Sequence, residues 1–216
     1  MPGPEAFQTA RTRGGYHARA LPHLRRESPA PINASTDDIA ISCLVTRQSR
    51  MERKRTVTWQ DPARVGKASL SLAGAAFLRA IADRTLPPPP IAELMGFDIE
   101  EVGEGRVVFG VEPQEYHYNP IGMVHGGLAA TLLDSAMGCA VHSLLPEGRA
   151  YTTLELKVNF VRPLKHDIGR VRAIGKVIHM GGKVATAEGS VVDSAGKLYA
   201  HATATCLLMN VSAPVV

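Results

Sequence analysis

The stretch Gly126-Gly127-Leu128-Ala129-Ala130-Thr131-Leu132-Leu133-Asp134-Ser135-Ala136-Met137-Gly138-Cys139-Ala140-Val141-His142-Ser143-Leu144-Leu145 decides the fold. It is the longest continuous apolar run in the chain. Its length and its Ala/Leu/Met content predict a helix rather than a strand. The run is apolar nearly all round, so the helix is expected to lie buried inside the fold. Asp134 and His142 interrupt it. No charge-free apolar run of the length that spans a bilayer is found, which argues against membrane insertion.

Downstream of Pro146-Glu147-Gly148 the pattern changes to period two. Leu154, Leu156, Val158 and Phe160 alternate with Thr153, Glu155, Lys157 and Asn159. Leu198, Ala200, Ala202, Ala204, Cys206 and Leu208 alternate with Tyr199, His201, Thr203 and Thr205. Residues 169–179 and 183–193 read as two more strands, joined at Gly181-Gly182. Short turns between successive strands make this part of the sheet antiparallel. Upstream, Phe97–Val102 and Arg106–Val111 are expected strands split by Gly103-Glu104-Gly105. The prediction is an α+β layer of five or six strands, with the helix covering one face of an Ala-rich sheet.

Before these strands, Leu70, Ala73, Phe77, Leu78 and Ile81 recur at helical spacing and predict one amphipathic helix of about 14 residues. Order is expected to begin near Ser69. The Leu86–Pro90 segment should end that helix and act as a stiff spacer. Prolines 2, 4, 22, 29 and 31 break up residues 1–50, where Ile39–Val45 is too short for a secretory signal. Asp37-Asp38 argues against a transit segment. Residues 1–56 are therefore expected to be a disordered extension, with Met51 as a candidate natural start, and 57–212 the folded domain.

The formal charge of +4 divides unevenly. Residues 1–50 carry seven Arg against four acids, a balance of +3, and the remainder carries 17 bases against 16 acids, a balance of +1. A near-neutral body makes nucleic acid a poor partner. Three scattered cysteines, Cys43, Cys139 and Cys206, are too few for a disulfide framework and suggest a reducing, cytoplasmic setting. His117, His125 and His142 lack metal-ligand spacing, so no metal is expected.

The chemistry is carried by Tyr116-His117-Tyr118-Asn119-Pro120-Ile121-Gly122-Met123-Val124-His125 running into Gly126-Gly127. Two glycines opening a helix leave backbone N–H groups without a Cβ in the way, and the helix dipole makes such an end an oxyanion site. Eight residues on, Asp134 lies in mid-helix among apolar neighbours, where desolvation is expected to raise its pKa and make it a candidate general base or nucleophile. Each feature has a plainer reading. Gly-Gly can be a turn, His125 a helix cap, and Asp134 a carboxylate satisfied by Ser135 or by a neighbouring strand. The conjunction is more specific than its parts.

Asn119, Gly122, His125-Gly126-Gly127 and Asp134, followed by an alternating strand ending in Arg162-Pro163, resemble the PaaI-type acyl-CoA thioesterases of the hotdog fold. The resemblance spans about residues 60–210. It implies a long central helix wrapped by an antiparallel sheet, assembled as a homodimer or homotetramer with shared active sites. It also implies hydrolysis of an acyl-CoA thioester, medium-chain or aromatic, with no cofactor. By the same resemblance Asp134 is the base or nucleophile and the Gly126 N–H polarises the carbonyl. Asn119 and His125 shape the site, with Gly122 and Gly127 beside them, and the Thr153 hydroxyl positions the attacking water. Arg162, Lys165 and Lys183 are candidates for the CoA phosphates, against the plainer reading of solvated charges. Two alternatives compete. A hotdog hydroxyacyl dehydratase would use a helix His with an acid, and a non-catalytic acyl-CoA-binding module tends to lose the helix carboxylate.

Overall fold

The computed structural model describes residues 52–211. The expectations for residues 1–51, including the extension, its arginines and a start at Met51, lie outside the described residues.

Two helices open the domain where one was expected. α1 (Pro62–Ser71) starts at Pro62, and the Asp61 carboxylate accepts from the Ala63 N–H at 2.9 Å, a proline-led start with an acidic cap. α2 (Gly74–Ala82) follows after Leu72 turns extended, at φ −127° and ψ 147°. The break has a tertiary cause. Gly74 packs on the backbone carbonyl of His142, leaving no room for a Cβ, and its N–H donates to the Leu145 carbonyl at 2.9 Å. A continuous helix could not bring Gly74 to that contact. The proline run is also shorter than expected, because Pro90 opens α3 (Pro90–Met95), which Gly96 closes at φ +72°.

The six strands are β1 (Phe97–Gly103), β2 (Arg106–Val111), β3 (Arg149–Phe160), β4 (Val171–Met180), β5 (Val184–Val192) and β6 (Leu198–Asn210). They form one antiparallel sheet in the order β1-β2-β4-β5-β6-β3. α4 (Gly126–His142) lies along one face of it. Leu132, Leu133, Ala136, Met137 and Val141 are buried there with Val107, Val111, Val171, Ala187 and Val191. This is the hotdog arrangement, with α4 as the filling. Gly175 and Gly189 let α4 sit close. A Cβ at Gly175 would fall on the Ala136 carbonyl, and one at Gly189 would lie 3.0 Å from Leu133 and Met137. No helix among the described residues is long and apolar enough to cross a membrane.

β3 departs from its expected alternation. Its pairing with β6 shifts register between Thr153 and Glu155, so Leu154 is an extra residue in a bulge. A bulge moves every later side chain to the other face of a period-two reading. Tyr151 and Thr153 face α4 before it, and Leu156 and Val158 pack on the core after it. Leu154 and Phe160, expected on the buried face, are 59% and 56% exposed. β3 is also an edge strand.

Candidate active site

The segment 113–125 delivers the chain to the start of α4. The His117 ring braces it: Nδ1 accepts from the Gln114 N–H and Nε2 donates to the Met95 carbonyl, both at 3.0 Å. Burial holds this imidazole below its ordinary pKa, which suits a neutral ring donating and accepting once each. Asn119 builds the next turn. Its side-chain oxygen accepts from the N–H groups of Ile121 and Met123 at 3.1 Å each, while Gly122 takes φ +79°. Asn119 and Gly122 thus hold the loop in shape through backbone contacts.

His125 caps α4. Its Nδ1 accepts from the Gly127 N–H at 2.8 Å, so of the two glycine N–H groups the cap uses Gly127's. The Gly126 N–H makes no hydrogen bond among the described residues. An unsatisfied donor at the positive end of a 17-residue helix suits a developing oxyanion. The Phe160 ring lies over Gly126, where an added Cβ would meet it at 3.2 Å. Two grooves flank this end. One, of about 340 Å³, runs between Gly126 and Ala129 on one side and Phe160–Leu164 on the other. The second, of about 330 Å³, is lined by His125, Gly127 and Thr131 with Met95 and Tyr116–Tyr118.

Asp134 is half-buried on α4, and the Thr153 hydroxyl donates to its Oδ1 at 2.9 Å. The link fixes the rotamer of Asp134 and leaves Oδ2 available. Thr153 reaches that position because it precedes the bulge. Cys206 lies beside Thr153, its thiol pushed up by burial. One turn further along α4, Gly138 leaves space for Tyr151, whose hydroxyl sits against Cys139. Loss of hydration pushes the Cys139 thiol up to about 12, which leaves it inert as a nucleophile at neutral pH.

The three cationic candidates separate. Arg162 and Lys165 are exposed near the Gly126 end, and the Arg162 guanidinium donates to the Leu198 carbonyl at 2.6 Å. Lys183 lies on the β4–β5 turn, beside the start of β3, at the opposite end of the sheet. Within one chain the fold therefore gathers Asn119, Gly122, His125, Gly126 and Gly127 at one end of α4, and Asp134 with Thr153 farther along it. Sequence reasoning missed Phe160, His117, Tyr151 and the bulge at Leu154. Each depends on contacts across the sheet; the only available signal was the pairing of small residues such as Gly138 with a large one elsewhere. No grouping of three or more potential metal ligands occurs among the described residues.

Comparison with known proteins agrees with this geometry. Residues 121–200 match the thioesterase superfamily model. A predicted esterase of Halobacterium salinarum is 35% identical over 52% of this chain and 76% of its own length. The 1,4-dihydroxy-2-naphthoyl-CoA hydrolase of Listeria monocytogenes is 26% identical over 50% of this chain and 86% of its own. The crystal structure of a phenylacetic acid degradation-related protein from Ralstonia eutropha JMP134 superposes with a TM-score of 0.55 at 29% identity, covering 60% of this chain and 98% of that one. The motif around Gly126 and Asp134, the helix wrapped by the sheet and these likenesses agree, and the chain belongs to the thioesterase superfamily as a PaaI-type hotdog thioester hydrolase.

Proposed function

We propose that this chain hydrolyses an acyl-CoA thioester with a medium-chain or aromatic acyl group, releasing the free acid and CoA in the cytoplasm. Asp134 either takes a proton from the attacking water or attacks the carbonyl carbon itself, and the Gly126 N–H holds the carbonyl oxygen as negative charge develops there. Collapse of the tetrahedral intermediate breaks the C–S bond, and the thiolate of CoA leaves and takes up a proton. Attack by water gives the free acid directly, whereas attack by the carboxylate gives a mixed anhydride that a water then hydrolyses to the free acid and Asp134. Thr153 keeps one Asp134 oxygen occupied so that the other faces the substrate. Arg162, Lys165 and Lys183 are the cations proposed for the CoA phosphates. The aromatic option is supported by the naphthoyl-CoA substrate in the name of the Listeria relative.

The observation that carries this reading is a free Gly126 N–H on the same helix as a carboxylate steered by Thr153. Eight residues at about 1.5 Å each place the two roughly 12 Å apart along the axis. A reacting carbonyl needs both groups within about 3 Å. Each site is therefore built from two copies, with Gly126 of one and Asp134 of the other, in a homodimer or in a tetramer of such dimers. The outer edge of β3, with Leu154, Phe160 and Val161 exposed along and just beyond it, is the surface proposed to join them.

The test co-refolds equal amounts of Asp134→Ala and Gly126→Val, each inactive alone. A mixed dimer collects both lesions in one site and neither in the other, so about a quarter of wild-type CoA release should return with random mixing. No return, with subunit exchange demonstrated, would reject the shared site. Single turnover in ¹⁸O-labelled water tests direct attack, because label in the Asp134 carboxylate can arise only when water opens an Asp134–acyl anhydride at the aspartyl carbon.

A further inference from the structure

Beneath α2 lies a cavity of about 200 Å³, walled by Phe77 and Ile81 of α2, Pro88-Pro89, Ala92 of α3, and Phe97, Ile99 and Phe109 of the sheet. Cys139 of α4 also lines it, and Arg84 and Asp98 are its charged lining residues. It differs in kind from the two grooves beside Gly126. Those carry His125, Tyr116, Tyr118 and Arg162 among their walls, whereas nearly everything facing this cavity is hydrocarbon or a neutral thiol.

We propose that this cavity receives the acyl group of the thioester, and that its volume limits that group to one aromatic ring or a chain of about six to eight carbons. The inference rests on the hydrolase reading above and sharpens its substrate. Position is the first argument. Cys139 follows Asp134 by five residues on α4, about 7.5 Å along the axis. Ser135 lies between them on the helix surface, and all three are only half-buried. Tyr151 covers Gly138 on the neighbouring row and reaches Cys139, while the row from Ser135 to Cys139 stays partly uncovered beside it. An acyl group whose carbonyl sits at Asp134 can lie across Ser135 and enter at Cys139.

Size is the second argument. An engineered cavity of about 150 Å³ lined by aliphatic and aromatic side chains holds benzene, so this one takes a phenyl ring or a short alkyl chain. Rigidity is the third. Pro88 and Pro89 fix one wall, and α2 is tied by the Gly74 N–H to the Leu145 carbonyl. A stiff wall keeps the space from collapsing, which a packed core would otherwise do because voids forfeit contacts on every side.

The experiment measures equilibrium binding by calorimetry on an Asp134→Asn background, so that thioesters survive. Octanoyl-CoA should bind at least about tenfold more tightly than acetyl-CoA, given the hydrocarbon it buries. Ala92→Phe fills the cavity and should abolish that advantage while leaving acetyl-CoA binding within about twofold. Ile81→Ala enlarges it and should move the optimum toward dodecanoyl-CoA. Equal binding of octanoyl- and acetyl-CoA overturns the proposal. So does an Ala92→Phe protein that melts cooperatively and keeps the octanoyl preference. If Ala92→Phe does not fold, Ile81→Ala decides, and an unchanged chain-length profile there overturns it. Failure of the hydrolase reading looks different: the wild type would then release no CoA from any thioester, while the binding series would still report on the cavity.

Discussion

The two ends of α4 are built on opposite principles. At the Gly126 end the helix start is open, flanked by two grooves, with a backbone donor unsatisfied and a histidine already committed as a cap. At the His142 end everything is closed. His142 is buried with its Nε2 unpartnered, Phe77 meets its ring edge-on at 5.3 Å, and Tyr151 lies on its other side at 5.8 Å. Ser143 turns its hydroxyl back to the Ala140 carbonyl at 2.7 Å and accepts from the Gly105 N–H at 2.8 Å, tying the helix end to the β1–β2 turn. One end leaves backbone groups open to solvent, and the other anchors the helix so that the first can stay open.

Asp134 lies between these ends, and substitution there should produce the largest effect. Asp134→Asn should lower turnover at least about 10²-fold, on the scale of lost acid–base catalysis, with the melting temperature nearly unchanged. More than half the activity remaining would remove Asp134 from the reaction. Gly74→Val attacks the closed end. It forces a side chain onto the His142 carbonyl and should cost about 3 kcal/mol, roughly 6–12 °C in melting temperature. An unchanged melting curve would show that α2 does not clamp α4.

Thr153→Val should lower kcat about tenfold with little change in KM, since it removes one hydrogen bond to Asp134 while keeping shape. Equal loss with Thr153→Ser and Thr153→Val would point to packing instead. His125→Ala should cost about 1 kcal/mol through the lost cap, read as a melting shift of a few degrees, and it tests the open end alone.

The smallest effect is with pH. Burial holds His142 and His117 below the ordinary 6.5. Their contribution is full above pH 6.5 and declines as pH falls, because the unfolded chain then binds protons that the folded one refuses. The melting temperature should drop between pH 7 and 5. The drop should be smaller in His142→Phe; an identical drop would exclude His142 as a contributor.

Much of this was legible in the sequence because it is local. The apolar run fixed α4, and alternation found the strands within a few residues. The His125-Gly126-Gly127 and Asp134 pattern marked the two halves of the candidate site. What escaped is set by contacts across the fold. The break at Leu72 exists because Gly74 must reach His142, and no periodicity records that. The bulge at Leu154 adds one residue to a strand whose alternation looks unbroken, so Leu154 was placed inward and Thr153 outward. His142 read as a polar interruption of the helix, although it is buried between two aromatic rings.

Gly175 and Gly189 bear on the order in which the chain assembles. They lie opposite each other on β4 and β5, at one paired position of a hairpin closed by a short turn. Such a hairpin forms on the microsecond scale from local contacts alone. The seat for α4 therefore exists only once these two strands have found their register, and the helix docks afterwards. Gly189→Ala should leave hairpin formation intact and act on the docking step. Its cost should appear chiefly as faster unfolding if docking follows the transition state, or as slower folding if docking defines it.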